Sequence, residues 1–366
     1  ISFAGGAPAP EFYPIDNFRK ASDRAFEEVG RNILAYDGAY GIEPLRTQIA
    51  EQRMASAGVS ATADNIRILS GSQQGIDFAA RLFIDEGDVV ICEDPTYLGA
   101  LNSFDFYRPQ YVAVPIDNQG MIMEDLEKAL AAHPEAKLIY TVPDFQNPSG
   151  ISMSAARRKR MVELATQYDV VIVEDSPYYE IRFEGENIPA VKSFDKTGDT
   201  VIYLGSFSKS LSPGVRLGWI CASAELLDKY RVQKEASDFQ ASTVSQWQVS
   251  TYLRDYDLST HIEYLRDAYR TRRDVALEMV KEHFPDNIRY TLPEGGFFIW
   301  LTLPEHVDTT ELFPRAVNEC GVAYVPGESF FAQTKHKNNI RLSYSQMAEE
   351  KTREGMKRLA GLLGSL

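Results

Sequence analysis

The 366-residue chain is 44% hydrophobic and 25% charged, the balance of an ordinary globular protein with material for one large and one smaller domain. Its net charge of −14 argues against nucleic acid or an anionic membrane as partner, while a local cluster of donors can still hold a small anion. No run of eighteen apolar residues is present to form a membrane span, and Cys92, Cys221 and Cys320 lack metal or redox spacing, which fits a reducing cytoplasm.

The sequence opens at Ile1, without a signal-peptide pattern and without an initiator methionine, so residues upstream remain an open question. Residues 1–15 are rich in Gly, Pro and aromatics and read as an extended arm. Helical periodicity follows over 17–30 and 43–57. From about 66 to 222 short apolar runs alternate with helical stretches. Ile66 to Leu69, Val89 to Cys92, Tyr111 to Val114, Leu138 to Val142, Val170 to Val173 and Val201 to Leu204 read as buried strands. Gln74 to Ile84, Met123 to Ala132 and Ala155 to Tyr168 read as helices between them. This alternation predicts an α/β fold with a mostly parallel sheet flanked by helices. Residues 224–282 read as helical, and the remainder as a smaller α+β unit with strands at Gly296 to Leu301 and Ile340 to Ser343.

In open α/β sheets ligands bind beyond the carboxyl ends of the strands, so the polar residues following each apolar run are the candidates. Ser206-Phe207-Ser208-Lys209, with Arg216 seven residues after the lysine, groups hydroxyls and cations in a way that suits a phosphate. A lysine there could form a Schiff base with an aldehyde cofactor; the plainer reading is a polar surface turn. Ser70-Gly71-Ser72-Gln73 opens a helix, whose free N–H groups make an anion site, or whose serine is simply an N-cap. Tyr97 could lay its ring on an aromatic ligand or pack in its loop. Asn147 precedes a proline, which a turn alone would explain. Asp175, at the end of a buried strand and followed by Tyr178, needs a partner such as a protonated ring nitrogen, or a turn to cap. Taken together, Ser72, Tyr97, Asn147, Asp175, Tyr178 and Lys209 form the inventory for a phosphorylated pyridine aldehyde.

With these residues the chain resembles, over essentially its whole length, a fold-type-I pyridoxal-phosphate aminotransferase of the class I/II group. It is most similar to the branch of aminoadipate/kynurenine and broad-range aromatic aminotransferases. The arm Ile1-Ser2-Phe3-Ala4-Gly5-Gly6-Ala7-Pro8 and the segment Tyr36-Asp37-Gly38-Ala39-Tyr40-Gly41 carry further parts of the resemblance. It implies pyridoxal 5′-phosphate as cofactor, with Lys209 as Schiff-base lysine and proton shuttle and Asp175 on the pyridine nitrogen. It places Asn147 and Tyr178 on the ring oxygen and Tyr97 against the ring. Ser72, Gln73, Ser206, Ser208 and Arg216 would hold the phosphate, with Tyr36 added from a second subunit of a homodimer. Arg341, with Gly6 and Asn147, would bind the substrate, the arginine forking onto its α-carboxylate. Ser149 in place of the commoner Thr, and Asp144-Phe145 in the same loop, depart from the family pattern.

The resemblance also implies an arm and start of the small domain over 1–35, a large cofactor-binding domain over 36–260 and a small domain over 261–366. The expected activity is ping-pong transfer of an amino group from an L-amino acid (aromatic, 2-aminoadipate or broad range) to a 2-oxo acid, with 2-oxoglutarate as acceptor. Two alternatives share these motifs: a lyase or decarboxylase on the same cofactor, and the non-catalytic sensor domain of a transcription regulator. No GxGxxG follows a strand, which disfavours a nicotinamide dehydrogenase.

Overall fold

Alternating side chains on each strand send apolar groups to both faces of a large sheet, into three buried clusters. The computed structural model describes residues 1–333 and 336–366. Its strands are Ile66–Leu69 (β1), Val89–Asp94 (β2), Gln110–Asp117 (β3), Gly120–Met121 (β4), Leu138–Thr141 (β5), Val171–Asp175 (β6), Val201–Ser206 (β7) and Gly218–Cys221 (β8). These lie in the order β1-β8-β7-β6-β5-β2-β3-β4. Strands β7, β6, β5, β2 and β3 run parallel, whereas β8 is antiparallel to both β1 and β7. The carboxyl ends of β1, β7, β6, β5 and β2 therefore share one edge of the sheet. The sheet is mixed rather than wholly parallel because the chain turns back from β7 to β8 through the loop that carries Lys209.

The period-two alternation of a strand decides which residues share a face. Val90, Cys92, Leu138, Tyr140, Val173, Ile202 and Leu204 pack with Ile76, Phe78 and Ala79 of helix Ser72–Phe83 and with Ala100 and Phe104 of helix Leu98–Phe104. Val89, Ile91, Ile139, Ile172 and Val201 face the other way, onto Leu126 and Leu130 of helix Met123–Ala132 and Met161 and Leu164 of helix Ala155–Tyr168. Burying each such aliphatic side chain contributes about 1.5–3 kcal/mol, so both faces must be covered and the strands read as unbroken apolar runs.

A second, antiparallel sheet is formed by Arg289–Tyr290 (β9), Phe298–Thr302 (β10), Val325–Pro326 (β11) and Asn339–Ser343 (β12), in the order β11-β12-β10-β9. The two-residue strands β4, β9 and β11 carry too little pattern to be read from sequence. Helix Leu258–His283 joins two apolar clusters: Leu258 and Ile262 pack with Tyr252 and Leu253 of helix Thr243–Asp255, while Leu265, Ala276 and Met279 pack with Phe297 and Ile299 of the second sheet. The predicted helix over 43–57 forms, but with a π-helical stretch at Ile49–Met54. The amino-terminal arm is extended until Pro10 and docks on the second sheet. Phe3 N–H donates to Ala323 O (2.8 Å) and Phe3 O accepts from Ser343 N–H (2.8 Å), with the Phe3 ring buried. Among the described residues no helix is long and apolar enough to cross a membrane.

Candidate active site

One cavity of about 420 Å³ lies at the shared carboxyl edge of the large sheet, roofed by the arm and by β12. Its walls include Gly6, Ser72, Gln73, Tyr97, Asn147, Asp175, Tyr178, Ser206, Ser208, Lys209, Arg216 and Arg341. Of the residues singled out from the sequence, Tyr36 alone lies elsewhere. It is 83% exposed and touches Phe239 edge-on, with ring centroids 5.4 Å apart.

Lys209 sits in the loop between β7 and β8, and its Nζ donates to Gly6 O at 2.9 Å. Burial pushes its amine down to about 8, opposed by the Asp175 carboxylate and assisted by the positive charges of Arg341 and Arg216. Asp175 ends the neighbouring strand β6 and is buried. Burial raises its carboxyl to about 6, against the Tyr140 hydroxyl and Lys209, which both favour the ionised form. Its Oδ2 accepts from Tyr140 Oη at 2.9 Å, whereas its buried Oδ1 has no hydrogen-bond partner. A buried acceptor without a donor is costly, so this oxygen on the cavity wall fits a ligand bearing an N–H.

The start of helix Ser72–Phe83 forms the anion end. Gly71 adopts φ +92°, and a Cβ there would stand 2.8 Å from Arg216 Nη2, so only glycine lets the guanidinium close over the helix start. Arg216 is itself left-handed (φ 52°), and its Nη2 donates to Ser70 O at 3.3 Å. Ser206 Oγ accepts from Ser208 N–H at 3.1 Å. Beneath this loop the buried Lys234 Nζ donates to Ser70 Oγ (3.1 Å), Gln74 Oε1 (2.7 Å) and Asp238 Oδ2 (2.9 Å). Gln73 is expected among the phosphate holders, and its side chain points to the Tyr97 loop. Its Nε2 donates to Gly99 O (2.7 Å) and Ser103 Oγ (2.9 Å), and its Oε1 accepts from Tyr97 Oη (3.3 Å). Only the backbone N–H of Gln73, in the first helical turn, faces the anion end.

Arg341 reaches the cavity from the middle of β12. Its Nη1 donates to Asn147 Oδ1 (2.9 Å) and its Nη2 to Ala4 O (2.6 Å). Its guanidinium carbon lies over the rings of Phe298 (4.4 Å from the centroid) and Phe330 (5.1 Å). Burial lowers its affinity for its proton to about 10, yet it stays charged at neutral pH. Asn147 also faces the Tyr178 hydroxyl and favours its ionised form, which burial opposes more strongly.

The atypical loop before Asn147 has a structural account. Asp144 forms a buried ion pair with Arg158 (2.6 Å), whose guanidinium also donates to Pro143 O and Pro189 O. Phe145, at φ 46°, is fully buried under Arg182, 4.7 Å from its ring. Ser149 Oγ donates to Gln146 Oε1 at 2.5 Å, so the hydroxyl that Thr would supply is present. Gln146 Nε2 in turn donates to the buried Glu93 (2.8 Å) and to Pro95 O (2.7 Å), joining the Asn147 loop to the loop that carries Tyr97. Sequence reasoning missed Tyr140, Gln146, Glu93 and Lys234. Among the described residues no cluster of three or more His, Cys, Asp or Glu side chains could hold a metal ion.

A lysine and an aspartate at adjacent strand ends, facing an anion cup at a helix start, define an α/β enzyme built for a phosphorylated aromatic aldehyde. Comparison with known proteins is specific. The model of the family "Aminotransferase class I and II" matches residues 4–359. The chain is 43% identical over 364 residues to aromatic-amino-acid aminotransferase 1 of Thermococcus litoralis, covering 98% of this chain and 87% of the relative. It is 35% identical over 368 residues to 2-aminoadipate transaminase of Thermus thermophilus, covering 100% and 90%. Pyrococcus horikoshii kynurenine aminotransferase, solved in complex with PMP, superposes with a TM-score of 0.96 at 41% identity, covering 100% of this chain and 91% of that one. The chain belongs to the class I and II aminotransferases. It is a pyridoxal-phosphate-dependent enzyme of fold type I.

Proposed function

We propose that the enzyme transfers the amino group of an L-amino acid, with aromatic or 2-aminoadipate-like donors, to 2-oxoglutarate in a ping-pong cycle. The observation that carries this reading is the convergence of Lys209, Asp175 and Arg341 on one cavity that also holds an anion cup. The donor range follows the relatives, which are named for aromatic amino acids, 2-aminoadipate and kynurenine.

Pyridoxal phosphate, when bound, supplies an aldehyde carbon that exchanges amino groups and a pyridinium ring that accepts electron density as the Cα–H bond breaks. Ser72, Ser206, Ser208, Arg216 and the first-turn N–H groups, Gln73 among them, would hold its phosphate. Asn147 and Tyr178 would hold its ring oxygen, and Tyr97 would lie against its ring. Asp175 Oδ1 would keep the ring nitrogen protonated. Lys209, with an amine already close to neutrality, moves the proton from the substrate Cα. Arg341 forks onto the substrate α-carboxylate, its guanidinium held against the rings of Phe298 and Phe330. The Gly6 and Ala4 carbonyls place the arm as a roof that keeps water from these groups.

We further propose a cytoplasmic homodimer in which Tyr36, exposed on its own protomer, completes the phosphate site of its partner. The buried thiols of Cys92 and Cys221 suit a reducing compartment. The division into an arm over 1–35, a large domain over 36–260 and a small one over 261–366 places the last boundary within the first turn of helix Leu258–His283. A panel of amino donors with 2-oxoglutarate, read as glutamate formed, tests the activity. Glutamate should appear with aromatic donors or 2-aminoadipate, and none from any donor with cofactor bound would refute the reading.

A further inference from the structure

We propose that Tyr140 is a positioning residue for the cofactor's ring nitrogen, acting wholly through Asp175. This rests on the reading of the cavity as the pyridoxal-phosphate site.

Tyr140 lies on β5 and Asp175 at the end of β6, in parallel register with Tyr140 opposite Val173. Asp175 is two residues beyond Val173, so its side chain leaves the same face of the sheet as that of Tyr140. The phenol therefore reaches diagonally across one strand gap, and Tyr140 Oη donates to Asp175 Oδ2 at 2.9 Å. The ring that carries this hydroxyl is fully buried and cannot swing away. It packs edge-on against Phe104, with centroids 5.7 Å apart.

The bond has two consequences for the carboxylate. First, it occupies Oδ2 and leaves Oδ1 as the oxygen without a partner, so the carboxylate presents one defined acceptor to the cavity rather than two interchangeable ones. Second, a donor to the ionised form offsets part of the cost of burying charge. Burial pushes the Asp175 carboxyl up, and the Tyr140 hydroxyl pulls it down, as does Lys209. A neutral Asp175 could not pair with a pyridinium nitrogen. The hydroxyl therefore extends downward the pH range over which the aspartate can do so. Tyr140 is itself kept in its donor form, because burial and the Asp175 charge both oppose its ionisation.

The test measures the dissociation constant of pyridoxal phosphate from the apoprotein between pH 5 and 9, by equilibrium dialysis, for wild type, Tyr140→Phe, Asp175→Asn and the double variant. The ligand's own titration is common to all four and cancels between them. Wild-type affinity should fall as pH drops through the Asp175 titration, and Tyr140→Phe should shift that fall upward by about one pH unit, the usual size for loss of one hydrogen bond to a charged group. In the Asp175→Asn background the same change should have no further effect, because the partner of the hydroxyl has lost its charge. An unchanged midpoint in Tyr140→Phe, or an equal loss in both backgrounds, would overturn the proposal. Replacement of Tyr140 by 3-fluorotyrosine, a stronger donor of the same shape, tests it independently of how well the Phe variant folds, and should shift the fall downward. An upward shift or none would count against it. Failure of the wild type to bind pyridoxal phosphate at all would instead overturn the reading of the cavity.

Discussion

The amine of Lys209 should be a usable nucleophile at neutral pH, and the structure sets the size of the effect. Burial lowers its pKa from 10.5 to about 8, with Asp175 acting in the opposite direction. At pH 7 a group of pKa 8 is about one-tenth neutral, whereas an ordinary lysine is about 0.03% neutral, a ratio of roughly 300. The perturbation is pH itself. Apoprotein is mixed with pyridoxal phosphate in a stopped-flow instrument between pH 6 and 10, and the rate of covalent uptake is divided by that of N-acetyl-lysine at the same pH to remove the reagent's titration. Below the folded pKa the amine is an ammonium ion and cannot attack, so the uncorrected rate should climb about tenfold per pH unit up to 8 and then level. Relative to the free amine, the advantage should be about 300-fold at pH 7 and vanish above pH 10. Asp175→Asn removes the charge that sustains the ammonium and should move the break below pH 8. Arg341→Met removes a like charge and should move it upward. A rate that rises without a break to pH 10, or shifts of the opposite sign, would refute the assignment of burial as the cause.

Other residues make separate predictions. Arg341→Ala should raise KM for every amino donor, with Arg341→Lys recovering only part because an ammonium cannot fork; an unchanged KM would mean that another group binds the carboxylate. Asp144→Ala leaves the fully buried Arg158 without its carboxylate, and should cost about 3–5 kcal/mol in urea unfolding; a loss below about 1 kcal/mol would show that the carbonyls of Pro143, Met153, Ile188 and Pro189, which accept from Arg158, suffice. Tyr36→Ala removes a side chain 83% exposed on its own protomer, yet cofactor affinity should fall if the ring crosses to a partner, and unchanged affinity by dialysis would remove Tyr36 from the site.

What was legible in the sequence follows from geometry. A strand buried on both faces must be apolar throughout, so the polar residues that follow it mark the sheet's carboxyl edge. Ser72, Tyr97, Asn147, Asp175 and Lys209 could be gathered that way without any knowledge of strand order. The same logic could not reach Arg341, which lies in the middle of β12 of an antiparallel sheet and came only from family resemblance. For Gln73 it pointed only to the backbone N–H at a helix start, because position there specifies where the N–H points and not where a flexible amide does. Tyr140 shows the deeper limit. Within Leu138–Thr141 it is indistinguishable from a core aromatic, since what makes it polar in effect is Asp175, two residues beyond its register partner Val173 on the adjacent strand. Strand alternation says that Tyr140 and Asp175 each leave some face of the sheet. Only the register between β5 and β6 says that it is the same face and that the two groups meet. A shift of one residue in that register would turn the phenol away from the carboxylate, and the apolar runs on both strands would read the same.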